Sequence, residues 1–307
     1  MKGLELARRY WLEVGAAAME WACPALRGRM AAGLAGEGSE CLGFDDEISQ
    51  DHDWGPGFCL WLTQEDFSAH GEALRAAYAA LPREFLGFRR LRESGHSQGR
   101  VGVFSIPAFY ARFLGPKGPP ETLMQWLAVP DQALSVCTNG EVFADGPGEF
   151  TRVRERLLAY YPEDVRRKRL AAQCAGIAQA GQYNHMRCLA RGDRVAALRA
   201  LGEFVDHAQA VVFLLNRRYR PYYKWAHRAL GELPLLGREA AAACEGLAAC
   251  PQEERQDRIE GLCALLIQGL KEQGLTDGGD DFLLRHGERI QASIGDETLR
   301  SLPLMMG

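Results

Sequence analysis

The sequence predicts an α+β fold in which an N-terminal mixed sheet with flanking helices is followed by a C-terminal all-helical bundle. Short apolar runs with strand character occur only before residue 161, and helical periodicity dominates from residue 162 onward. The change coincides with Tyr161-Pro162, a pair that is typical of a helix end. We therefore expect two domains, at residues 1–161 and 162–307.

Composition limits the classes of protein to consider. A chain of 307 residues can form one large or two ordinary domains, and a hydrophobic fraction of 47% is typical of a soluble globular protein. The net charge of −4 shows no basic excess, so a nucleic-acid partner is not expected.

Cysteine usage and the chain start bear on location. The nine cysteines are scattered among apolar neighbours without a Cys-x-x-Cys pair, which favours buried thiols of a cytoplasmic protein over disulfides or a zinc site. The first residues carry charge where a signal peptide would be apolar. Because no uncharged apolar stretch is long enough to cross a bilayer, no membrane partner is expected.

The elements of the first domain follow from periodicity and turn signals. Apolar residues at steps of three and four predict a helix over 3–22, which Pro24 ends. Thr63 is the expected N-cap of a helix that reaches Leu81. Strands are predicted at 30–34, 58–62 and 101–106, helices at 107–114, around 124–127 and from 150, a loop at 115–120, and a hairpin of 134–138 with 141–143 around Asn139-Gly140.

Residues 83–100 are polar and rich in arginine and glycine. They form either a solvated loop or a basic patch that faces phosphate, with Arg89, Arg90, Arg92, His96 and Arg100 as its members. In the second domain, helices are predicted at 166–182, 183–190, 194–215, 222–230, 238–249, 253–272 and 280–294.

The stretch from Gly36 to Trp54 carries the main chemical signal. It opens with Gly36, Gly38 and Ser39, whose backbone N–H groups and hydroxyl could bind an anion. It ends in Asp51-His52-Asp53. On an extended strand the two carboxylates share one face, and such a pair requires a cation, a proton or solvent between its members. Mg²⁺ (or Mn²⁺) suits carboxylates that act together with substrate phosphates. The alternative is a loop before a solvated acidic strand end.

A Gly-Ser pair followed at this spacing by Asp-x-Asp resembles the signature of the DNA polymerase beta-like nucleotidyltransferase superfamily. The longer run from Gly38 resembles one uncharacterised bacterial branch, catalogued as a domain of unknown function and distantly similar to aminoglycoside nucleotidyltransferases. The resemblance implies that Gly38 and Ser39 contact nucleotide phosphates. It also implies that Asp51 and Asp53 are the catalytic, metal-binding carboxylates.

A second polar cluster lies in the predicted bundle, at residues 216–225. Its arginines and lysine suit phosphate oxygens and its aromatic rings can stack on a base. The resemblance extends to this run and implies a nucleotide site that includes Asn216, Lys224 and Tyr222 or Tyr223. The alternative is a clasp between the two domains. Arg187, in a polar run over 182–193, either faces the same cleft or belongs to an ordinary helical corner.

The superfamily usually carries a third carboxylate on a later strand, and residues 100–106 contain none. The substitutes that the sequence offers are Asp45, Asp46, Glu47, Glu141 and Asp145. The expected function is therefore Mg²⁺-dependent transfer of a nucleoside monophosphate from a nucleoside triphosphate, ATP, to a hydroxyl of a small molecule or protein. The alternative is a catalytically lapsed nucleotide-binding or partner-binding protein of the same fold.

Overall fold

The computed structural model describes residues 1–51, 53–90 and 99–307. The predictions for His52, Arg92 and His96 lie outside the described residues. The chain is a mixed α/β protein that divides into two compact units. The sheet unit comprises Met1–Pro119 and Ala133–Ala159, and the helical unit comprises Pro120–Gln132 and Tyr160–Gly307. Residues 120–132, which the sequence analysis placed in the first domain, thus cluster with the second.

The first helix is continuous from residue 3 to residue 22, as predicted. It consists of α1 (Gly3–Tyr10), a π-helical turn (Trp11–Gly15) and α2 (Ala16–Ala22). Leu6, Tyr10 and Met19 are buried on its apolar face. A Cβ at Gly15 would lie 2.5 Å from the Phe58 ring, so only glycine permits this close packing.

The sheet is small, mixed and four-stranded. Its strands are β1 (Ala31–Leu34), β2 (Cys59–Leu62), β5 (Gly102–Ser105) and β6 (Glu141–Asp145), while β3 (Glu84–Phe85) and β4 (Phe88–Arg89) form a separate ribbon. The order is β5-β2-β1-β6, with β1 antiparallel to both neighbours and β2 parallel to β5. β1 and β2 are buried along their whole length, which explains why neither shows alternating polarity.

Three helices that the sequence predicts flank the sheet: α3 (Gln64–Ala79), α4 (Ile106–Leu114) and α7 (Glu149–Leu158). Thr63 is confirmed as the N-cap of α3, because its side chain accepts the Asp66 N–H at 3.1 Å. Ser105 caps α4 in the same way, and Pro107 stands in its first turn.

The predicted hairpin around Asn139-Gly140 is wrong, because residues 131–138 form a helix, α6 (Asp131–Thr138). Asp131 lies in its first turn, and Leu134 and Cys137, three residues apart, share its buried face. The Asn139 N–H still bonds to the Ser135 carbonyl, and Gly140 has φ 64°. Asn-Gly therefore ends a helix here, since the left-handed conformation also suits a helix C-terminus. β6 then pairs with β1.

The helical unit is built from elements that the periodicity largely predicts. They are α5 (Leu123–Ala128), α8 (Glu163–Ile177), a π-helical segment (Ala178–His185), α9 (Met186–Ala190), α10 (Arg194–Leu215), α11 (Tyr223–Leu230), α12 (Gly237–Ala249), α13 (Arg255–Glu272), α14 (Leu283–Ala292) and α15 (Glu297–Ser301). Within the described ranges, no helix has the length and apolar character needed to span a membrane.

Arg169 holds residues 127–131 to the core of the helical unit. Its side chain is buried on α8 and donates to the carbonyls of Leu127 and Val129 at 2.9 and 2.6 Å. It also pairs with Asp131 at 3.1 Å and stacks over the Tyr161 ring at 4.7 Å. One guanidinium thus satisfies backbone groups that otherwise lack a partner in the helical ladder between α5 and α6.

Candidate functional site

The glycine-rich loop after β1 is held by a side chain from the far end of α6. The Gly36 N–H donates to Asn139 Oδ1 at 3.1 Å, and Asn139 Nδ2 donates back to the Gly36 carbonyl at 2.7 Å. The Gly140 N–H donates to the Cys41 carbonyl at 2.8 Å. Ser39 opens a short 3₁₀ helix that runs to Leu42. The loop is therefore fixed at both ends by the turn between α6 and β6.

The acidic pair is not on a strand, so the expectation that Asp51 and Asp53 share a strand face is wrong. Asp51 is exposed and has a helical backbone (φ −73°, ψ −32°) after a 3₁₀ turn at Ile48–Gln50. Asp53 has a left-handed backbone with φ 55°, and β2 begins only at Cys59. Local bonds explain the turn, because Asp46 Oδ1 accepts from both the N–H and the hydroxyl of Ser49.

Asp53 and Gly38 line the same recess in the sheet unit. The recess also includes Glu40, Arg100 and Arg90, whereas Ser39 and Asp51 are outside its lining. Its volume is about 40 Å³, which is room for about three water molecules. A single phosphate group is close to the largest group that such a space admits, and a whole nucleoside is too large.

A buried ion pair forms one wall of the recess. Arg100 Nη2 donates to Glu40 Oε1 at 2.5 Å, and Nη1 donates to the Asp53 carbonyl at 2.9 Å. Burial raises the pKa of the Glu40 carboxyl, the Arg100 charge opposes this, and the negative charges of Asp45 and Asp53 raise it further. The recess therefore combines the guanidinium groups of Arg90 and Arg100 with crowded carboxylates. An added anion or cation would change the pairing between Arg100 and Glu40.

Gly38 is required by this ion pair. A Cβ at position 38 would lie 1.9 Å from Arg100 Nη2 and 2.2 Å from Glu40 Oε1. We expect Gly38→Ala to break the pair and to lower the free energy of unfolding, measured by urea denaturation, by about 1–3 kcal/mol. In an Arg100→Ala background the same substitution should lower the free energy of unfolding clearly less, because the clash with Arg100 is removed and the ion pair no longer holds the Glu40 side chain in place. Equal costs in the two backgrounds would show that the ion pair is not what excludes the methyl group.

Three of the carboxylates that could replace the missing third acid, Asp45, Glu141 and Asp145, are engaged in structural interactions. Asp45 is buried and accepts from the Gly3 N–H at 2.7 Å and from Trp54 Nε1 at 3.2 Å, so it anchors the start of α1. Asp145 accepts two N–H groups at the start of α7, and Glu141 pairs with Arg8. Among residues 1–51, 53–90 and 99–307, no group of three or more His, Cys, Asp or Glu side chains is placed to hold a metal ion.

Asn216 has a structural role at the end of α10. Its Nδ2 donates to the carbonyls of Val212 and Leu235 at 2.8 and 2.9 Å, and its Oδ1 accepts the Leu235 N–H at 2.9 Å. These bonds connect the end of α10 to the segment before α12. Any contact of Asn216 with a nucleotide would compete with them.

The other predicted residues of the helical unit are exposed at its surface. Tyr222 and Tyr223 stand at the start of α11 with ring centroids 4.3 Å apart, and Lys224 lies over the Trp225 ring at 5.2 Å. Arg187, on α9, lies over the Tyr183 ring at 4.6 Å. Gly38, Ser39, Asp51 and Asp53 belong to the sheet unit. That the two sets contact one nucleotide stays a prediction.

Sequence reasoning missed Glu40 as a member of the site and placed Arg100 only in a general basic patch. The signal was present, since Glu40 directly follows Gly-Ser and Arg100 stands just before a predicted strand. Glu40 follows β1 and Arg100 precedes β5, and two opposite charges in such positions can pair when the sheet brings the strand ends close together. What the sequence did not show is that β2 lies between β1 and β5.

Comparison with protein families finds a match over part of the chain. Residues 126–226 match a family model described as a domain of unknown function (DUF4037). The matched region includes Arg187, Asn216 and Lys224 and excludes the glycine-rich loop and the acidic pair. No curated protein and no solved structure matches the chain. The family-level finding is therefore similarity of this segment to a domain of unknown function.

Proposed function

We propose that the chain is a nucleotidyltransferase that moves a nucleoside monophosphate from a nucleoside triphosphate, ATP, to a hydroxyl of a small molecule or protein. The observation that carries the proposal is the convergence of Gly38, Asp53 and Arg100 on one recess at the end of β1. A glycine-rich turn, a carboxylate and a guanidinium are the groups that phosphoryl-transfer sites combine.

The recess would hold one phosphate group, and the rest of the nucleotide would lie outside it. Arg100 can donate to a phosphate oxygen in addition to its bonds to Glu40 and Asp53, because a guanidinium has more N–H donors than its present bonds use. Arg90 lines the same recess and adds a second positive charge. The acceptor hydroxyl would form a bond to the α-phosphorus while the bond to pyrophosphate breaks.

The donor types fit the metal that this chemistry uses. Mg²⁺ (or Mn²⁺) is bound in such sites by one or two carboxylates plus substrate phosphates, so a preformed three-residue cluster is not required. Asp51 and Asp53 are the residues that would hold it. When bound, the ion neutralises charge on the triphosphate and stabilises the leaving pyrophosphate.

The second candidate is a catalytically lapsed protein of the same fold that binds a nucleotide or a partner. The observation that favours it is the engagement of Asp45, Glu141 and Asp145 in structural bonds, together with the pairing of Glu40 with Arg100. None of these carboxylates is placed to accept a proton without breaking an existing interaction. The transferase and the nucleotide-binding form of this second candidate differ in catalysis and agree in nucleotide binding.

A thermal-shift screen with the four nucleoside triphosphates, with and without Mg²⁺, tests the proposal. At about 100-fold excess over Kd, a bound nucleotide should stabilise the protein by about 2.7 kcal/mol. The absence of a shift with all four triphosphates would refute the transferase and the nucleotide-binding form of the second candidate. Release of pyrophosphate in the presence of an acceptor would support the transferase, whereas binding without release across small-molecule and protein acceptors would support the lapsed protein.

Lys224 is the residue whose substitution tests the predicted nucleotide contact of the helical unit. We expect Lys224→Ala to weaken triphosphate binding at least about tenfold and nucleoside binding much less, because its ammonium would meet phosphate charge. The loss should shrink as salt rises, since an exposed charge contact is screened. Lys271→Ala, which removes another exposed lysine of the same unit, is the control. Titration calorimetry with ATP and adenosine measures both affinities, and equal losses for the two ligands would exclude a phosphate contact.

A further inference from the structure

A second concave surface lies within the helical unit, separate from the recess of the candidate site. Helices α10, α11, α12 and α13 surround a groove of about 610 Å³, within the range of about 300–1,000 Å³ that small-molecule sites occupy. Most of its lining is apolar, and the members that matter here are Leu198, Leu201, Gly202, Val205 and Leu247. No role in nucleotide transfer is assigned to these residues.

Arg255 lines the groove at the start of α13. Its Nε is shielded from solvent and has no hydrogen-bond acceptor, and no carboxylate pairs with its guanidinium, among the described residues. Other arginines of this unit do have partners, since Arg258 pairs with Glu254 and Arg285 with Glu288. A shielded donor without an acceptor is rare in folded proteins and calls for a specific explanation.

The groove has open space beside α10. A Cβ built at Gly202 meets no atom within 4 Å, so the glycine leaves room in the groove. Leu198, one turn earlier, is 66% exposed, which leaves its apolar side chain in water at the edge of the same surface. Apolar side chains exposed beside a groove are typical of a surface that an apolar ligand covers.

The remaining charged groups of the groove lie at its rim. Glu245 and His227 contact each other at 3.2 Å, and the Glu245 side chain is 72% exposed. Gln209 adds a neutral polar group. The Glu245 carboxylate is solvated and has a partner, whereas the Arg255 guanidinium is the lining cation that lacks a counter-charge among the described residues. The groove therefore complements a ligand with an apolar body and one negative end.

We propose that this groove binds a single-chain aliphatic carboxylate. Its carboxylate would accept hydrogen bonds from the Arg255 guanidinium, for which a planar two-oxygen acceptor is the best geometric match. Its hydrocarbon chain would lie along α10 over Gly202 and cover Leu198. An inorganic anion would use only the arginine and leave the apolar surface in water, so the structure favours the amphipathic molecule.

Calorimetric titration of the full chain with dodecanoate and with dodecanol, both below their aggregation concentrations, tests the proposal. Dodecanoate should bind at least tenfold more tightly than dodecanol. Arg255→Gln should remove most of this difference and leave dodecanol affinity nearly unchanged. Arg258→Gln, which removes a neighbouring exposed arginine with its own partner, is the matched control and should change neither affinity.

Gly202→Leu should weaken both ligands at least tenfold because its side chain fills the groove. The open space around Gly202 indicates that this variant folds, and an unchanged melting temperature checks this; Gly202→Ala serves as the milder substitution if the melting temperature falls. Failure of dodecanoate to bind, or equal effects of Arg255→Gln on the two ligands, would overturn the proposal. Unchanged binding to a folded Gly202→Leu protein would overturn it as well.

Discussion

Arg169→Met is expected to lower the free energy of unfolding by about 3–5 kcal/mol, the largest stability effect that we predict for a single side chain. The Arg169 side chain is only 8% exposed, and its guanidinium meets two backbone carbonyls, the Asp131 carboxylate and the Tyr161 ring. Methionine fills part of the volume and supplies no donor. The substitution therefore removes the donor of two carbonyls and the counter-charge of the Asp131 carboxylate, which keeps its hydrogen bond from the Tyr161 hydroxyl at 2.5 Å.

Urea denaturation of the full chain measures this loss. Arg199→Met is the matched control, since Arg199 is 81% exposed and makes an i,i+4 pair with Glu203, and its cost should stay below about 1 kcal/mol. The loss of unfolding free energy for Arg169→Lys should lie between those of Arg169→Met and Arg199→Met, because lysine keeps the charge and lacks the planar fork of N–H donors. A loss for Arg169→Met no larger than that of the control would contradict the structural role.

The double substitution Asp51→Asn with Asp53→Asn is expected to abolish the Mg²⁺-dependent part of nucleoside triphosphate binding. Asparagine keeps the size of each side chain and removes the charge that a hard cation requires. It also tolerates the left-handed backbone of Asp53, where φ is 55°, so the fold should persist. The substitution at Asp53 also takes away a negative charge that lies near the Glu40 carboxylate. Without nucleotide, the free energy of unfolding of the double variant should therefore equal or slightly exceed that of the parent protein.

Thermal shift with each triphosphate, with and without Mg²⁺, compares the double variant with the parent protein. Glu72→Gln is the control, since Glu72 is an exposed acid on α3 of the same unit. We expect the control to retain the Mg²⁺ effect. The same Mg²⁺-dependent stabilisation in the double variant and in the parent would end the metal interpretation of the acidic pair.

Helices and buried strands were largely predictable because their signals are local. The periodicity of residues 194–215 predicts α10 to the residue, and Thr63 is an N-cap in sequence and in structure. The prediction of a hairpin around Asn139-Gly140 is wrong because Asn-Gly favours a left-handed backbone, which occurs both in hairpin turns and at helix ends. The choice between a hairpin and a helix end depends on a long-range contact, because β6 pairs with β1 and not with the residues just before Asn139.

The candidate site was predictable in its residue types and less so in its geometry. Gly38 and Asp53 do line one recess, as expected of residues in a single site. The expected extended conformation of Asp51 and Asp53 is wrong, and side-chain bonds between Asp46 and Ser49 favour a turn just before them. The pairing of Glu40 with Arg100 joins residues sixty positions apart, and no local pattern encodes it.

The π-helical turn at Trp11–Gly15 has a consequence for how this protein can vary in length. A π turn holds one more residue than an α turn, so it is equivalent to a single-residue insertion that the helix has absorbed. Asp45 fixes the beginning of this helix and Pro24 marks its end. Removing one residue inside this turn would restore a regular α-helix and leave the two halves of its apolar face in register. Removing one residue from either α-helical half would instead turn part of that face by about 100°. Related chains should therefore tolerate the loss of one residue at Trp11–Gly15 better than the same loss in α1 or α2, where it would disturb the contacts of Tyr10 or Met19.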